Sequence, residues 1–136
     1  MRVIGHENVG DRFDRYKKTN GYNAAINSRQ FQFKTPFPVI FRYPDVTYQT
    51  SMETEVGQKD KITFQLFHDK GETDDSTWVW IPEKKAICAG DLFIWASPNC
   101  GNPQKVQRYP VEWSAALKKM LKLDADFFFP GHGPPM

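Results

Sequence analysis

A chain of 136 residues, 40% apolar and 15% aromatic, is long enough to bury one core and too apolar to be disordered. Its formal net charge of +2 is too small to point to nucleic acid or an anionic membrane. It contains no run of about 18 apolar residues to span a bilayer and no apolar leader region at its N-terminus. Two cysteines, Cys88 and Cys100, have neither metal-ligand spacing nor the makings of a disulfide framework, so a cytoplasmic protein with a single domain over 1–136 is expected.

In chain order, Arg2-Val3-Ile4-Gly5 reads as a short strand. Asn8 is placed to cap a helix over Val9–Lys18, with Val9, Phe13 and Tyr16 on one stripe, and Asn20-Gly21 breaks it. A second helix over Tyr22–Phe31 turns Ala25, Ile26 and Phe31 inward. Arg12, Arg15, Lys17, Lys18 and Arg29 on these helices read as a solvated face rather than a nucleic-acid footprint. Thr35-Pro36-Phe37-Pro38 is an extended connector, because a residue before proline is pushed out of the helical region.

Short apolar runs at Val46–Thr50, Met52–Val56, Ile62–Phe67, Thr77–Ile81 and Lys85–Cys88 read as strands, the last stopped by Ala89-Gly90. A polar loop from Ser97 to Pro103 carries turn chemistry throughout. Pro110 opens a helix on which Trp113, Ala116, Leu117, Met120 and Leu121 recur at helical spacing. Glu112 stands in its first turn and Lys118, Lys119 and Lys122 toward its end, as the helix dipole favours. Phe127–Phe129 is the final strand, running into Pro130-Gly131-His132-Gly133.

Three acids or imidazoles stand beside glycines at strand ends: Glu72, Asp91 and His132. Glycine allows a tight turn and close approach there, and oxygen and nitrogen donors so placed suit a hard or borderline cation. Asn102, Lys105 and Arg108 are candidate contacts for a substrate anion. His6 and His68 read as residues without a ligand role, His68 as a polar edge position ending a strand; Asp74-Asp75 reads as an acidic turn, and Trp78, Trp80 and Trp95 as core or interface aromatics.

The stretches KGETDDSTWVWIPEKKAICAGDLF (70–93) and FFFPGHG (127–133), together with the strand and helices of Arg2–Phe31, resemble in order the C-terminal portion of the metallo-β-lactamase superfamily. The resemblance implies an α/β fold: part of an αββα sandwich, a mixed sheet with helices on one face. It implies that Asp91 is the metal-bridging carboxylate and His132 a ligand of the second metal. Glu72 falls where most members carry histidine and alkyl-sulfatase-like members carry glutamate. The chain lacks the family's His-x-His-x-Asp-His motif, having only His6, His68 and His132. The expectation is therefore a truncated, self-associating binding or scaffold module, a homodimer through an exposed apolar sheet face, with at most zinc or manganese at a vestigial site. The alternative is a metal-dependent hydrolase of esters or sulfate esters, its site completed by a separate chain that supplies the missing half.

Overall fold

The alternating apolar runs of the middle of the chain become an antiparallel meander. Strands β3 (Ser51–Val56), β4 (Ile62–His68), β5 (Thr77–Ile81) and β6 (Ala86–Ile94) pair each with the next, and β7 (Phe127–His132) adds to β6 in parallel. The result is a five-stranded mixed sheet in the order β3-β4-β5-β6-β7. The computed structural model describes residues 1–32, 34, 36–95 and 108–136. Packing divides the chain into two units, Met1–Thr47 and Tyr48–Met136.

In the first unit, α1 spans Asn8–Phe31 as two helical stretches joined across a kink. The expected break at Asn20-Gly21 is instead a kink at Thr19 (φ −112°, ψ 16°), where the Thr19 hydroxyl bonds back to the Arg15 carbonyl at 3.0 Å. A threonine that bonds to the preceding turn bends a helix without ending it. Asn8 is not the cap: Glu7 precedes the helix without a side-chain cap, and the Asn8 amide donates to His6 Nδ1 at 3.2 Å. Phe13 stacks on Phe41 with centroids 4.6 Å apart, and Tyr16 meets Phe37 edge-on at 5.1 Å, so the expected stripe holds the segment after the helix. The Tyr43 hydroxyl donates to Asp14, and together with Lys17 it holds that carboxyl below its ordinary range. The second half of the helix departs from expectation, since Ala25 and Phe31 are exposed. A short sheet, β1 (Ile4–His6) with β2 (Val46–Tyr48), ties the ends of this unit together.

In the second unit, α2 (Pro110–Leu121) packs on one face of the sheet. Proline at its first turn gives up an amide that no helical carbonyl could have received. Trp113, Ala116 and Met120 lie on one stripe and are buried with Trp78, Ile87, Ala89 and Leu92. Leu121, grouped with them by its helical spacing, falls off that stripe and is 80% exposed. Asp69 ties the helix to the sheet, accepting from Trp78 Nε1 at 3.0 Å and from Lys119 Nζ. Of the tryptophans read as core or interface aromatics, Trp78 is buried in this core and Trp95 is 55% exposed.

Strand β6 does not stop at Ala89-Gly90. Gly90 takes φ +54°, the register with β7 shifts on both sides of it, and the strand continues to Ile94. A glycine that accepts a left-handed φ absorbs the irregularity as a bulge where another residue would have ended the pairing. Asp91 therefore sits within a strand, and so does His132, because β7 extends three residues past the phenylalanine run.

Register also sorts the sheet into two faces. The row Glu53, Gln65, Trp80, Ile87, Phe128 lies on the side of α2. The neighbouring row Met52, Leu66, Val79, Cys88, Phe129 lies on the other side and is apolar throughout.

Burial pushes the Cys88 thiol up from 9.0, and burial pushes the Tyr48 phenol up from 10.0 against the opposing effect of its hydrogen bond with Thr77 (2.6 Å). Both groups prefer the neutral form when folded, so the unfolded chain loses these protons first. Their contribution is complete below the unfolded values and is lost as pH rises through the folded ones. The urea midpoint is expected to fall between about pH 8 and about pH 10.5, and less steeply in a Cys88→Ala, Tyr48→Phe variant. An equal slope in the variant would remove both groups from the account.

Candidate metal centre

Two of the three candidate ligands meet. The bulge in β6 places Asp91 beside the end of β7, and His132 Nε2 lies 3.4 Å from Asp91 Oδ1. The backbone fixes the imidazole's position: Ile94 and His132 are register partners, and the Trp95 amide donates to the His132 carbonyl at 3.1 Å. Gly131 sits so close to β6 that a Cβ there would lie 2.4 Å from Asp91 Oδ1 and 2.6 Å from the Gly90 carbonyl carbon. Both side chains are open to solvent, Asp91 at 52% and His132 at 68% exposure. Such a pair is a weak charge contact when the imidazole is protonated, and two adjacent cation donors when it is neutral.

Glu72 goes elsewhere. Its carboxylate Oε1 lies 2.5 Å from Arg108 Nη2, and its own carbonyl accepts from Arg108 Nη1 at 2.6 Å. The two side chains are 17% and 7% exposed. Nη2 meets the carboxylate as a charge contact without hydrogen-bond alignment, and Nε finds no acceptor among the described residues. Arg108, expected to contact a substrate anion, is thus the partner of Glu72. Asn102 and Lys105 lie outside the described residues. Sequence spacing offers no signal for the Arg108–Glu72 pair, whose members stand 36 positions apart.

His68, the last residue of β4, has Nδ1 2.9 Å from the Ser76 carbonyl, and His6 is buried at the end of β1. Among the described residues, no three His, Cys, Asp or Glu side chains gather closely enough to hold a metal ion. Among the described residues the donors that meet are two, Asp91 and His132, and this pair does not make up the set of about three protein ligands that a catalytic metal takes.

No protein-family model matches the chain. Over 88 residues it is 33% identical to a type 2 metallo-β-lactamase of Bacillus sp. (strain 170), a match covering 62% of this chain and 33% of that protein. Its backbone superposes on a metallo-β-lactamase family protein from Thermus thermophilus with a TM-score of 0.66 and 20% identity, covering 99% of this chain and 48% of that one. On a double mutant of a sec-alkyl sulfatase the TM-score is 0.76 at 14% identity, covering 100% of this chain and 25% of that one. The fold is that of the metallo-β-lactamases, a hydrolase-like mixed α/β architecture. Together with the curated relative, it indicates the metallo-β-lactamase superfamily, of whose fold this chain covers only part. The chain spans about a third of that curated relative's length. The superfamily is metal-dependent. No helix among the described residues is long and apolar enough to cross a membrane.

Proposed function

We propose that this chain is a cytoplasmic binding or scaffold module built on part of the metallo-β-lactamase fold. In this reading it self-associates and does not by itself carry the two-metal hydrolase activity of that superfamily. One observation carries the reading: the three expected ligands are divided, with Asp91 beside His132 and Glu72 held by Arg108. Two solvent-open donors fall short of the ligand number that a hydrolytic metal requires.

Self-association is supported by the face of the sheet away from α2. Its middle row is apolar from Met52 to Phe129. Val56 at 58%, Phe127 at 56% and Phe129 at 39% exposure leave large side chains in water. Covering such side chains contributes roughly 1.5–3 kcal/mol each, and a two-fold pairing of identical faces is the commonest way to do so. Light scattering on a sizing column, at tens of micromolar chain, is expected to give the mass of a dimer, and Phe127→Glu with Phe129→Glu the mass of a monomer. Metal analysis of untagged protein is expected to find well under one ion per chain, with no turnover of aryl esters or aryl sulfates. A monomeric wild type would overturn the self-association, and two ions per chain with turnover would overturn the inactivity.

The contact between Asp91 and His132 favours one second reading, a metal-dependent hydrolase of esters or sulfate esters. There the pair would serve jointly with residues of a separate chain that supplies the missing half of the fold. Activity appearing only on mixing with such a chain would select it.

A further inference from the structure

The loop carrying Glu72 is fixed from two sides by one short segment. The Tyr109 amide donates to the Gly71 carbonyl at 3.0 Å, and Arg108 Nη1 donates to the Glu72 carbonyl at 2.6 Å. Arg108 Nη2 then reaches the Glu72 carboxylate itself at 2.5 Å. The same loop is pressed onto the core, since a Cβ on Gly71 would lie 2.3 Å from Leu92 Cδ2 and 3.3 Å from the Trp113 ring. The guanidinium is 7% exposed and permanently charged. A charge so buried needs its counter-charge: removing one partner of such a pair is strongly destabilising, whereas removing both together is close to neutral. A divalent ion at Glu72 would have to share the carboxylate with a cation already in contact with it, or expel a buried side chain that also holds the backbone.

We infer that Arg108 is the resident cation of Glu72, a positioning residue whose guanidinium takes the carboxylate that would otherwise be free to ligate a metal. Glu72 then belongs to the fold of the 71–72 loop, and any divalent ion the chain takes is bound without it. The inference deepens the proposed loss of the two-metal centre and rests on that reading. The two fail differently, one in the number of ions per chain and the other in the dependence of binding on Glu72.

Two measurements on the full chain test it. In a thermal double-mutant cycle, Glu72→Gln and Arg108→Met are each expected to lower Tm by about 5 °C or more. The double variant is expected to stand well above the sum of the two losses, because it leaves no buried charge alone. In zinc chloride titrations by calorimetry, wild type and Glu72→Gln are expected to agree within about twofold, equal silence included. His132→Ala serves as the comparison for a donor at the Asp91 pair. A tenfold loss of zinc affinity in Glu72→Gln, or additive losses of Tm in the cycle, would overturn the inference. Should Arg108→Met not fold alone, the double variant and Glu72→Gln still decide it, since a double variant no more stable than Glu72→Gln contradicts the pairing.

Discussion

Trp113→Ala is expected to lower the stability of the second unit by about 3–5 kcal/mol, the range for deleting a large buried aromatic. The ring is 3% exposed and lies in the cluster with Trp78, Ile87, Leu92 and Met120. Its Nε1 donates to the Leu92 carbonyl at 2.7 Å inside that cluster, so the substitution leaves both a cavity and a carbonyl without its donor. The ring also backs Gly71, so the loop that presents Glu72 to Arg108 loses its floor. Against a total stability of about 5–15 kcal/mol, a loss of this size unfolds a large share of molecules at moderate temperature. Trp113→Phe separates the contributions, keeping most of the ring volume while giving up the hydrogen bond, and should cost nearer 1 kcal/mol. Chemical denaturation followed by tryptophan fluorescence and circular dichroism measures both. A loss below about 1 kcal/mol for Trp113→Ala would mean that α2 is not packed on the sheet as described.

Gly131→Ala is expected to have the second largest effect and to reach the Asp91–His132 pair directly. The added methyl would meet Asp91 Oδ1 at 2.4 Å, the Gly90 carbonyl carbon at 2.6 Å and the Asp91 amide nitrogen at 2.8 Å. Two of these three atoms are backbone, which cannot swing aside as a side chain can. Relief requires β7 to separate from β6 around the bulge, at a cost of roughly 1–3 kcal/mol. The same movement takes His132 away from Asp91, so the His132 ring resonances in an NMR spectrum should shift toward those of an isolated histidine. Gly10→Ala is the control: nothing lies within 4 Å of its Cβ, and alanine in a helix should gain about 0.5–1 kcal/mol. If Gly131→Ala is as stable as the control and leaves the His132 signals in place, the close approach of the two strands is wrong.

Much of the sheet was legible because its strands declare themselves locally. β-branched and aromatic runs bounded by glycine, proline or acidic turns gave β3, β4 and β5, and the proline-led stripe of Trp113, Ala116 and Met120 gave α2. The errors arose where a local signal met a tertiary or side-chain opportunity. The break read at Asn20-Gly21 falls one residue earlier, at Thr19, and is a kink that joins the two helical stretches rather than a stop. Ala89-Gly90 reads as a stop, yet pairing with β7 carries β6 to Ile94 through a bulge. For the candidate site, Asp91 and His132 could be placed together because each follows an apolar run into a glycine-flanked turn. The fate of Glu72 could not be read, since nothing local to residue 72 announces an arginine arriving from residue 108.

Within the five-stranded sheet the one parallel pairing, β7 on β6, has a consequence for the order of events during folding. The antiparallel meander β3–β6 joins neighbours in sequence and can zip up through short connections. A parallel partner must instead be delivered by a crossover, here through α2, and pays its loop-closure entropy before it is rewarded. Asp91 is thus in place on the nascent meander before His132 arrives. Hydrogen exchange pulsed during refolding should accordingly find the β4 and β5 amides protected ahead of those of β7.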